Sequence, residues 1–329
     1  MPEKGKPPVD WRRQTLFLKD DNPEEPAYLL IRDSIKGGKP TMWQMWTISY
    51  TLDTPDKVRD VDAILAGRPT ETLTPDPDGG MDAKPNAPEG AKSWNAILPS
   101  RELEGNRFTA IGQLGVDVEY YIASPTNTPR HTLRWGTDWI VAQTNKHERP
   151  EYQDLLHLQM PGDGTYFVAF YPRKRDMPAP EFSTLGEGTI IKVKGTFGTD
   201  FGFLSATEAN ATGEETAFHG TAASVQDRKT GLVLSLAAKG SVRYKGYGLA
   251  AEVPAALRVK AQELTVDLPA GLQPPAFELM KPFPGATLSL TAPGAWKLAK
   301  PQPGVTLERK EDGYVLTVPV GCRAVSLVR

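Results

Sequence analysis

The sequence predicts an all-β protein, with a large antiparallel β-sandwich followed by a small C-terminal β-sandwich. Three observations favour this class. Apolar and polar residues alternate with a period of two over most of the chain. Thirty Gly and thirty Pro fall between the alternating segments, where they predict turns. Helical spacing is scarce, since only residues 56–66 place apolar side chains three or four positions apart.

Three extended segments open the chain, and each is dense in aromatic and aliphatic residues. They cover residues 11–19, 28–33 and 42–47. The breaks between them, at 20–23 and 37–40, are rich in Asp, Asn, Gly and Pro, which are the residues that turns favour. The opening of the chain is therefore predicted to be three consecutive strands.

Further strands follow with the same pattern. Residues 107–111 and 116–122 predict a hairpin around the turn at 112–115. Residues 152–160 and 165–171 predict a second hairpin, since Pro-Gly-Asp-Gly separates them. Short strands then continue without an intervening helix, which predicts a sandwich or barrel instead of a parallel α/β sheet.

The spacing of these segments predicts two domains. A large first sandwich covers residues 1–260, and a small second one covers residues 261–329. Residues 67–92 contain almost no large apolar side chain and much Pro, Asp and Gly, so they predict a long mobile loop within the first domain.

Composition narrows the classes of partner. The formal net charge is −2, and phosphate binding needs a clustered positive field, so we expect no nucleic-acid partner. No apolar run reaches the ~18 residues that a membrane helix requires, so no membrane partner is expected. A single Cys322 permits no intrachain disulfide. No phosphate loop, dinucleotide fingerprint or zinc spacing is found, so no cofactor is predicted.

The opening strands also resemble a known pattern. The order is Arg-x-x-Leu-Phe-x-Lys at 13–19, Tyr-Leu-Leu-Ile-x-Asp at 28–33, a Gly-Gly turn, and Trp-x-x-Trp at 43–46. It is similar to the β-sandwich of heparinase II/III-like polysaccharide lyases. The hairpin segments at 105–125 and 152–172 continue the likeness, which extends over roughly residues 11–250.

The resemblance implies a supersandwich-like β domain from a lyase that cleaves uronic-acid polysaccharides by β-elimination. In that family the substrate lies between the sandwich and an N-terminal α-helical toroid, which supplies most of the base and acid groups. Only about ten residues precede the first strand here, so we expect this chain alone to be inactive. The implied partners are an acidic polysaccharide and a helical toroid of the same parent protein.

The resemblance also bears on location and on metals. It implies a secreted or periplasmic parent protein, although the polar residues 1–8 are not a signal peptide. Asp33 matches a possible metal-ligand position, but no His stands near it in sequence, so no metal is predicted. Trp43 to Trp46 occupy the place where a family His is often found.

β-Elimination beside a carboxylate needs three groups. One neutralises the carboxylate, a base removes the neighbouring proton, and an acid protonates the leaving oxygen. His131 with Arg134, beside Tyr121 on a strand predicted to be adjacent, is the best candidate catalytic cluster. A complete enzyme with a cleft lined by these three residues is one hypothesis. The alternative is that His131 and Arg134 are solvated charges at the end of a loop.

Aromatic rings can pack on the C–H face of a sugar, so exposed aromatics are candidates for substrate binding. The candidates are Trp43, Trp46, Trp94 and Tyr120. Trp43 and Trp46 are three residues apart, so a strand would direct them to opposite faces and leave one of them exposed. Such exposed aromatics also suit a stand-alone carbohydrate-binding or structural β module, which is the alternative function.

Overall fold

A computed structural model gives the fold of the protein. It describes residues 8–57, 98–112, 115–126, 130–136, 152–269, 271–272 and 281–329. Within these ranges the chain forms antiparallel strands and one 3₁₀ turn, Gly186–Gly188, so the all-β prediction is confirmed. The predicted loop at 67–92 lies outside the described residues, as does the predicted helix from residue 58 onward. No helical segment of these ranges is long and apolar enough to cross a membrane.

The chain divides into two compact units, Met1–Ala179 and Pro180–Arg329. Each unit has its own sheet. The strands of the first unit are β1 (Asp10–Leu18), β2 (Tyr28–Lys36), β3 (Thr41–Asp53), β4 (Leu98–Glu102), β5 (Arg107–Gly112), β6 (Val116–Ser124), β7 (Arg130–Gly136), β8 (Tyr152–Met160) and β9 (Gly164–Lys174).

The second unit contains the remaining strands. They are β10 (Glu181–Leu185), β11 (Ile190–Gly195), β12 (Gly198–Gly213), β13 (Thr216–Arg228), β14 (Gly231–Leu236), β15 (Gly240–Tyr244), β16 (Tyr247–Ala251), β17 (Ala255–Lys260), β18 (Glu263–Asp267), β19 (Gly271–Leu272), β20 (Lys281–Pro282), β21 (Ala286–Thr291), β22 (Lys297–Leu298), β23 (Thr306–Lys310), β24 (Gly313–Val318) and β25 (Ala324–Val328).

The unit boundary differs from the one that the sequence predicts. Residue 260 ends β17, and the hairpin turn that follows joins β17 to β18 inside the second unit. The last strands also belong to the same sheet, because β21 pairs with β16 and β25 pairs with β18. A local turn signal near residue 260 therefore marks a hairpin, and the compact units meet in sequence at residues 179 and 180.

The first unit is a half-barrel of nine antiparallel strands in the order β1-β2-β9-β6-β5-β3-β8-β7-β4. Its core lies on the inner face, where alternate side chains of these strands meet. This core includes Trp43, Phe108, Tyr120, Leu156, Leu158 and Tyr166. The predicted hairpin around residues 112–115 is present as β5–β6.

The predicted hairpin around Pro161–Gly164 does not form. β8 pairs with β3 and β7, while β9 pairs with β2 and β6. The turn between β8 and β9 therefore crosses between two parts of the half-barrel. The Gly37–Gly38 turn between β2 and β3 makes the same crossing, since β2 and β3 are also not neighbours in the sheet. Turn residues thus predict where the chain reverses, but not which strands pair.

One carboxylate joins the two crossing turns. Asp163 Oδ1 accepts hydrogen bonds from the backbone N–H groups of Gly37 at 2.7 Å and Gly38 at 2.5 Å. Both glycines have positive φ, at 141° and 66°, which L side chains rarely adopt. The two N–H donors lower the pKa of Asp163 below its ordinary value of 3.8, because they stabilise the ionised form.

We expect Asp163→Ala to lower the melting temperature at neutral pH. The pKa of Asp163 is lower in the folded state, so its contribution is present above pH 3.8 and is lost as the pH falls through the folded value. Thermal unfolding of both proteins from about pH 7 to about pH 2 measures the difference. Asp163→Asn keeps an acceptor oxygen and is expected to fall between them. A difference that is unchanged at the lowest pH would contradict this role.

A charged network lies on the other face of β6 and β9. Arg173 Nε and Nη2 donate to Glu119 Oε1 at 3.0 and 2.8 Å, and its Nη1 lies 3.6 Å from Asp117 Oδ2. Arg175 Nε donates to Asp117 Oδ1 at 3.2 Å, and the Thr109 hydroxyl donates to Glu119 Oε2 at 2.8 Å. Both carboxylates are buried. This network connects neighbouring strands of the half-barrel.

The second unit is built around a fourteen-stranded, nearly closed sheet. Phe203 and Phe218 stack in its core with ring centroids 5.4 Å apart. One buried ion pair joins β12 to β13: Arg228 Nε donates to Asp200 Oδ1 at 3.0 Å, and Nη2 donates to Oδ2 at 2.5 Å. The Arg228 guanidinium also lies over the Phe197 ring, 5.1 Å from its centroid.

Candidate functional site

An open cleft of about 500 Å³ lies in the first unit, where β1 and β2 face the start of β3. That volume falls within the range of small-molecule sites, which combine apolar walls with a few placed polar groups. Its lining includes Trp11, Arg13, Asp33, Thr41, Trp43 and Tyr166.

Strand register brings three polar residues of this cleft into one row. Arg13 on β1 lies opposite Asp33 on β2, and Asp33 lies opposite Tyr166 on β9. Residues directly opposite each other in an antiparallel pair share a face of the sheet. Trp11 is two positions before Arg13 and therefore lies on that same face.

Asp33 organises the β1 side of the cleft. Arg13 Nε donates to Asp33 Oδ1 at 2.8 Å, and Nη2 donates to Oδ2 at 2.7 Å. The Trp11 indole Nε1 donates to Oδ1 at 3.0 Å. The carboxylate is buried, while about half of the Arg13 side chain is exposed. Three donors thus hold one buried acid and fix the orientation of the two groups that solvent reaches.

Arg13 keeps a free edge in this arrangement. Its hydrogen bond to Asp33 raises the pKa of Arg13, so the guanidinium is charged at every physiological pH. The guanidinium carbon lies 5.1 Å from the centroid of the Trp11 ring, within the range of a cation–π contact. Among the hydrogen bonds of the described residues, those of Arg13 all go to Asp33, and Nη1 takes part in none.

Tyr166 and Thr41 form the opposite wall. The Tyr166 hydroxyl donates to the carbonyl oxygen of Thr41 at 2.9 Å and lies 3.0 Å from the Thr41 hydroxyl. Burial raises the pKa of Tyr166, so its hydroxyl stays protonated at neutral pH. This wall carries neutral hydrogen-bonding groups, and Tyr166 is almost fully buried behind it.

The two tryptophans of β3 point to opposite faces, as the spacing predicts. Trp43 is 3% exposed and lies in the core at the base of the cleft, so it offers little surface to a ligand. Trp46 is 42% exposed and is not among the residues that line the cleft. Trp94 lies outside the described part of the chain. The predicted aromatic candidates are therefore not brought into a single site.

Tyr120 and Tyr121 lie on opposite faces of β6, and both are buried. The Tyr120 hydroxyl is bonded to Thr47 within the core, and burial raises the pKa of Tyr120. A side chain in this position has no exposed surface with which to contact a polysaccharide. The structure thus places Tyr120, a predicted substrate contact, in the hydrophobic core.

The predicted cluster of His131, Arg134 and Tyr121 rests on two strands being adjacent. His131 and Arg134 lie on β7, opposite His157 and Asp154 of β8, and Tyr121 lies on β6. Three strands, β5, β3 and β8, separate β6 from β7 in the sheet, so the expected strand pairing is wrong. The side chains of His131 and Arg134 lie outside the described part of the structure.

Asp33 is the position at which the resemblance points to a possible metal ligand. Its two oxygens are both engaged by Arg13 and Trp11. Across the residues that the structure describes, no group of three or more His, Cys, Asp or Glu side chains is placed to hold a metal ion.

Trp11 and Arg13 are the site residues that sequence reasoning missed. The signal was present in the odd-numbered positions of β1, where a strand places Trp11, Arg13, Thr15 and Phe17 on one face. A face that mixes aromatic rings with a cation and a hydroxyl is not an ordinary core face. Asp33 likewise places a single acid on the face of β2 that otherwise carries Leu29, Ile31 and Ile35.

Comparison with known proteins leaves the family open. No family model matches the chain, and no curated protein matches it. The likeness to heparinase II/III-like lyases thus stays a prediction from the quoted motifs.

Proposed function

We propose that this chain is the β-sandwich portion of a heparinase II/III-like polysaccharide lyase and that its half-barrel binds an acidic, uronic-acid polysaccharide. The observation that carries the proposal is the free guanidinium edge of Arg13 beside the exposed ring of Trp11, within a cleft of about 500 Å³. Together these offer the two contacts that an acidic sugar needs.

Each contact follows from the chemistry of the group. A carboxylate accepts charge-assisted hydrogen bonds from a guanidinium, and these bonds are about twice as strong as neutral ones. The Trp11 ring can pack on the apolar face of a pyranose. Asp33 holds both groups in place before a ligand arrives, which reduces the entropy that binding would cost.

Binding is better supported than catalysis by this chain alone. Tyr166, the titratable hydroxyl of the cleft, has a raised pKa and is a poor base at neutral pH. We propose that β-elimination takes its base and acid from a helical toroid of a secreted or periplasmic parent protein. A stand-alone carbohydrate-binding module is the second candidate, since the same cleft would serve it.

The test compares two arginines that are adjacent in sequence. Arg13→Gln removes the cation of the cleft, while Arg12→Gln makes the same charge change on the other face of β1. We expect the dissociation constant for a polyuronate to rise about tenfold in the first variant, since a hydrogen bond to a charged group contributes ~1.5–3 kcal/mol. Arg12→Gln is expected to bind like the wild type. Affinity electrophoresis in gels with and without polyuronate measures both.

Two controls make the result decisive. Trp11→Ala removes an exposed ring, and a melting temperature like that of the wild type would assign its loss of binding to the ring and not to unfolding. In gels that contain a neutral polysaccharide, the mobility of the wild type should not depend on Arg13. Equal retardation of the Arg13 and Arg12 variants would refute the proposal. Release of an unsaturated uronide by this chain, followed by its absorbance, would show instead that the chain is a complete enzyme.

A further inference from the structure

A second exposed aromatic ring lies on the same face of β1 as the cleft. Trp11 is 56% exposed and Phe17 is 55% exposed. Both have odd numbers within one strand, so they lie on one face, with Arg13 and Thr15 between them. Six residues of a strand span ~20 Å, which separates the two rings by much more than the width of one sugar.

The position of β1 leaves this face open. Among the strands that the structure describes, β1 is the first in the order of the half-barrel and pairs with β2 alone. Phe17 lies opposite Leu29, which packs against the core, while the Phe17 ring itself remains exposed. Packing in the core therefore does not explain why a large apolar side chain lies at position 17. An exposed apolar side chain of this kind often marks a contact with a ligand or partner.

The chemistry of the face identifies its occupant. From Trp11 to Phe17 it presents a ring, a guanidinium, a hydroxyl and a ring, and it carries no acidic side chain. Rings at the ends suit sugar faces, a cation suits a carboxylate, and a hydroxyl suits a sugar hydroxyl. A peptide added as a strand would use backbone groups of the β1 edge and would not need the Phe17 face.

We propose that the face of β1 from Trp11 to Phe17 is an extended track that binds several consecutive residues of an acidic polysaccharide. Trp11 and Phe17 contact two separate sugar rings, and Arg13 pairs with a carboxylate of the chain between them. This inference rests on the proposed function, since it extends the same binding site from the cleft along the strand.

The test is a series of uronate oligosaccharides of increasing length, titrated into the wild type and into Phe17→Ala. Oligosaccharides short enough to occupy only the Trp11 end should bind both proteins equally. Those long enough to reach Phe17 should bind the variant about fivefold more weakly. Trp46→Ala removes an exposed ring of β3 that does not line the cleft, and it should match the wild type at every length.

Other outcomes separate the two proposals. If Phe17→Ala binds every length like the wild type while Trp11→Ala and Arg13→Gln lose binding, the cleft binds sugar but the track does not exist. If the wild type binds no uronate at all, the proposed function itself fails. Equal affinity for poly-glutamate of the same charge would show that the face binds polyanions or peptides, and would overturn its assignment to a polysaccharide.

Discussion

Replacing Arg228 with methionine is expected to destabilise the second unit by about 3–5 kcal/mol, because it takes the compensating positive charge away from the buried Asp200 carboxylate. Asp200 has no exposed surface, and both of its oxygens are bonded to Arg228. Chemical denaturation followed by tryptophan fluorescence measures the change. Lys229→Gln removes an exposed positive charge from the next residue and should leave the stability near that of the wild type.

A double variant distinguishes the loss of the Arg228–Asp200 ion pair from the loss of packing around Arg228. When Asp200→Leu accompanies Arg228→Met, no buried charge remains, so we expect most of the lost stability to return. Recovery of this kind would show that the single variant is unstable because the buried carboxylate has lost the positive charge that compensates it. A double variant less stable than Arg228→Met would contradict that explanation and would point to a loss of packing against Phe197.

Arg173→Met is expected to lower the stability of the half-barrel, and this is the second large effect. Its guanidinium serves two buried carboxylates, Glu119 and Asp117, so its loss leaves Glu119 with weaker partners. We expect a loss of about 1.5–3 kcal/mol at neutral pH, because Arg107 and Arg175 still compensate the two carboxylates. Lys174→Gln is the matched control, because Lys174 and its partner Glu24 are both largely exposed. Hydrogen exchange of the backbone amides in β6 and β9 would localise the change.

One result would contradict the predicted role of Arg173. If Arg173→Met and Lys174→Gln unfold at the same denaturant concentration, the network contributes nothing to the stability of β6 and β9.

Local sequence was sufficient for the strands but not for their partners. Alternation and turn residues located β1, β2, β3, β5 and β6, and the hairpin around residues 112–115 formed as predicted. The Pro-Gly-Asp-Gly turn was located equally well, yet its strands pair elsewhere. Pairing depends on how the sheet curves and on contacts between residues more than a hundred positions apart, and neither is encoded in a short segment.

The same limit applies to the candidate site. The opposed directions of Trp43 and Trp46 follow from spacing within one strand, and the structure confirms them. The contact between Arg13 and Asp33 depends on the register between β1 and β2, which no pattern within either strand determines. The predicted pairing of the Tyr121 strand with the His131 strand failed for the same reason.

The position of β1 has a consequence for solubility. A strand at the end of a sheet exposes backbone donors and acceptors that can recruit another chain into an aggregate. Two consecutive arginines, Arg12 and Arg13, occupy this strand and project to opposite sides of it. A second copy docked along that border would have to bring its own arginines close to these, and the repulsion between like charges opposes such growth. The positive charges of β1 thus discourage the chain from assembling with itself along this edge.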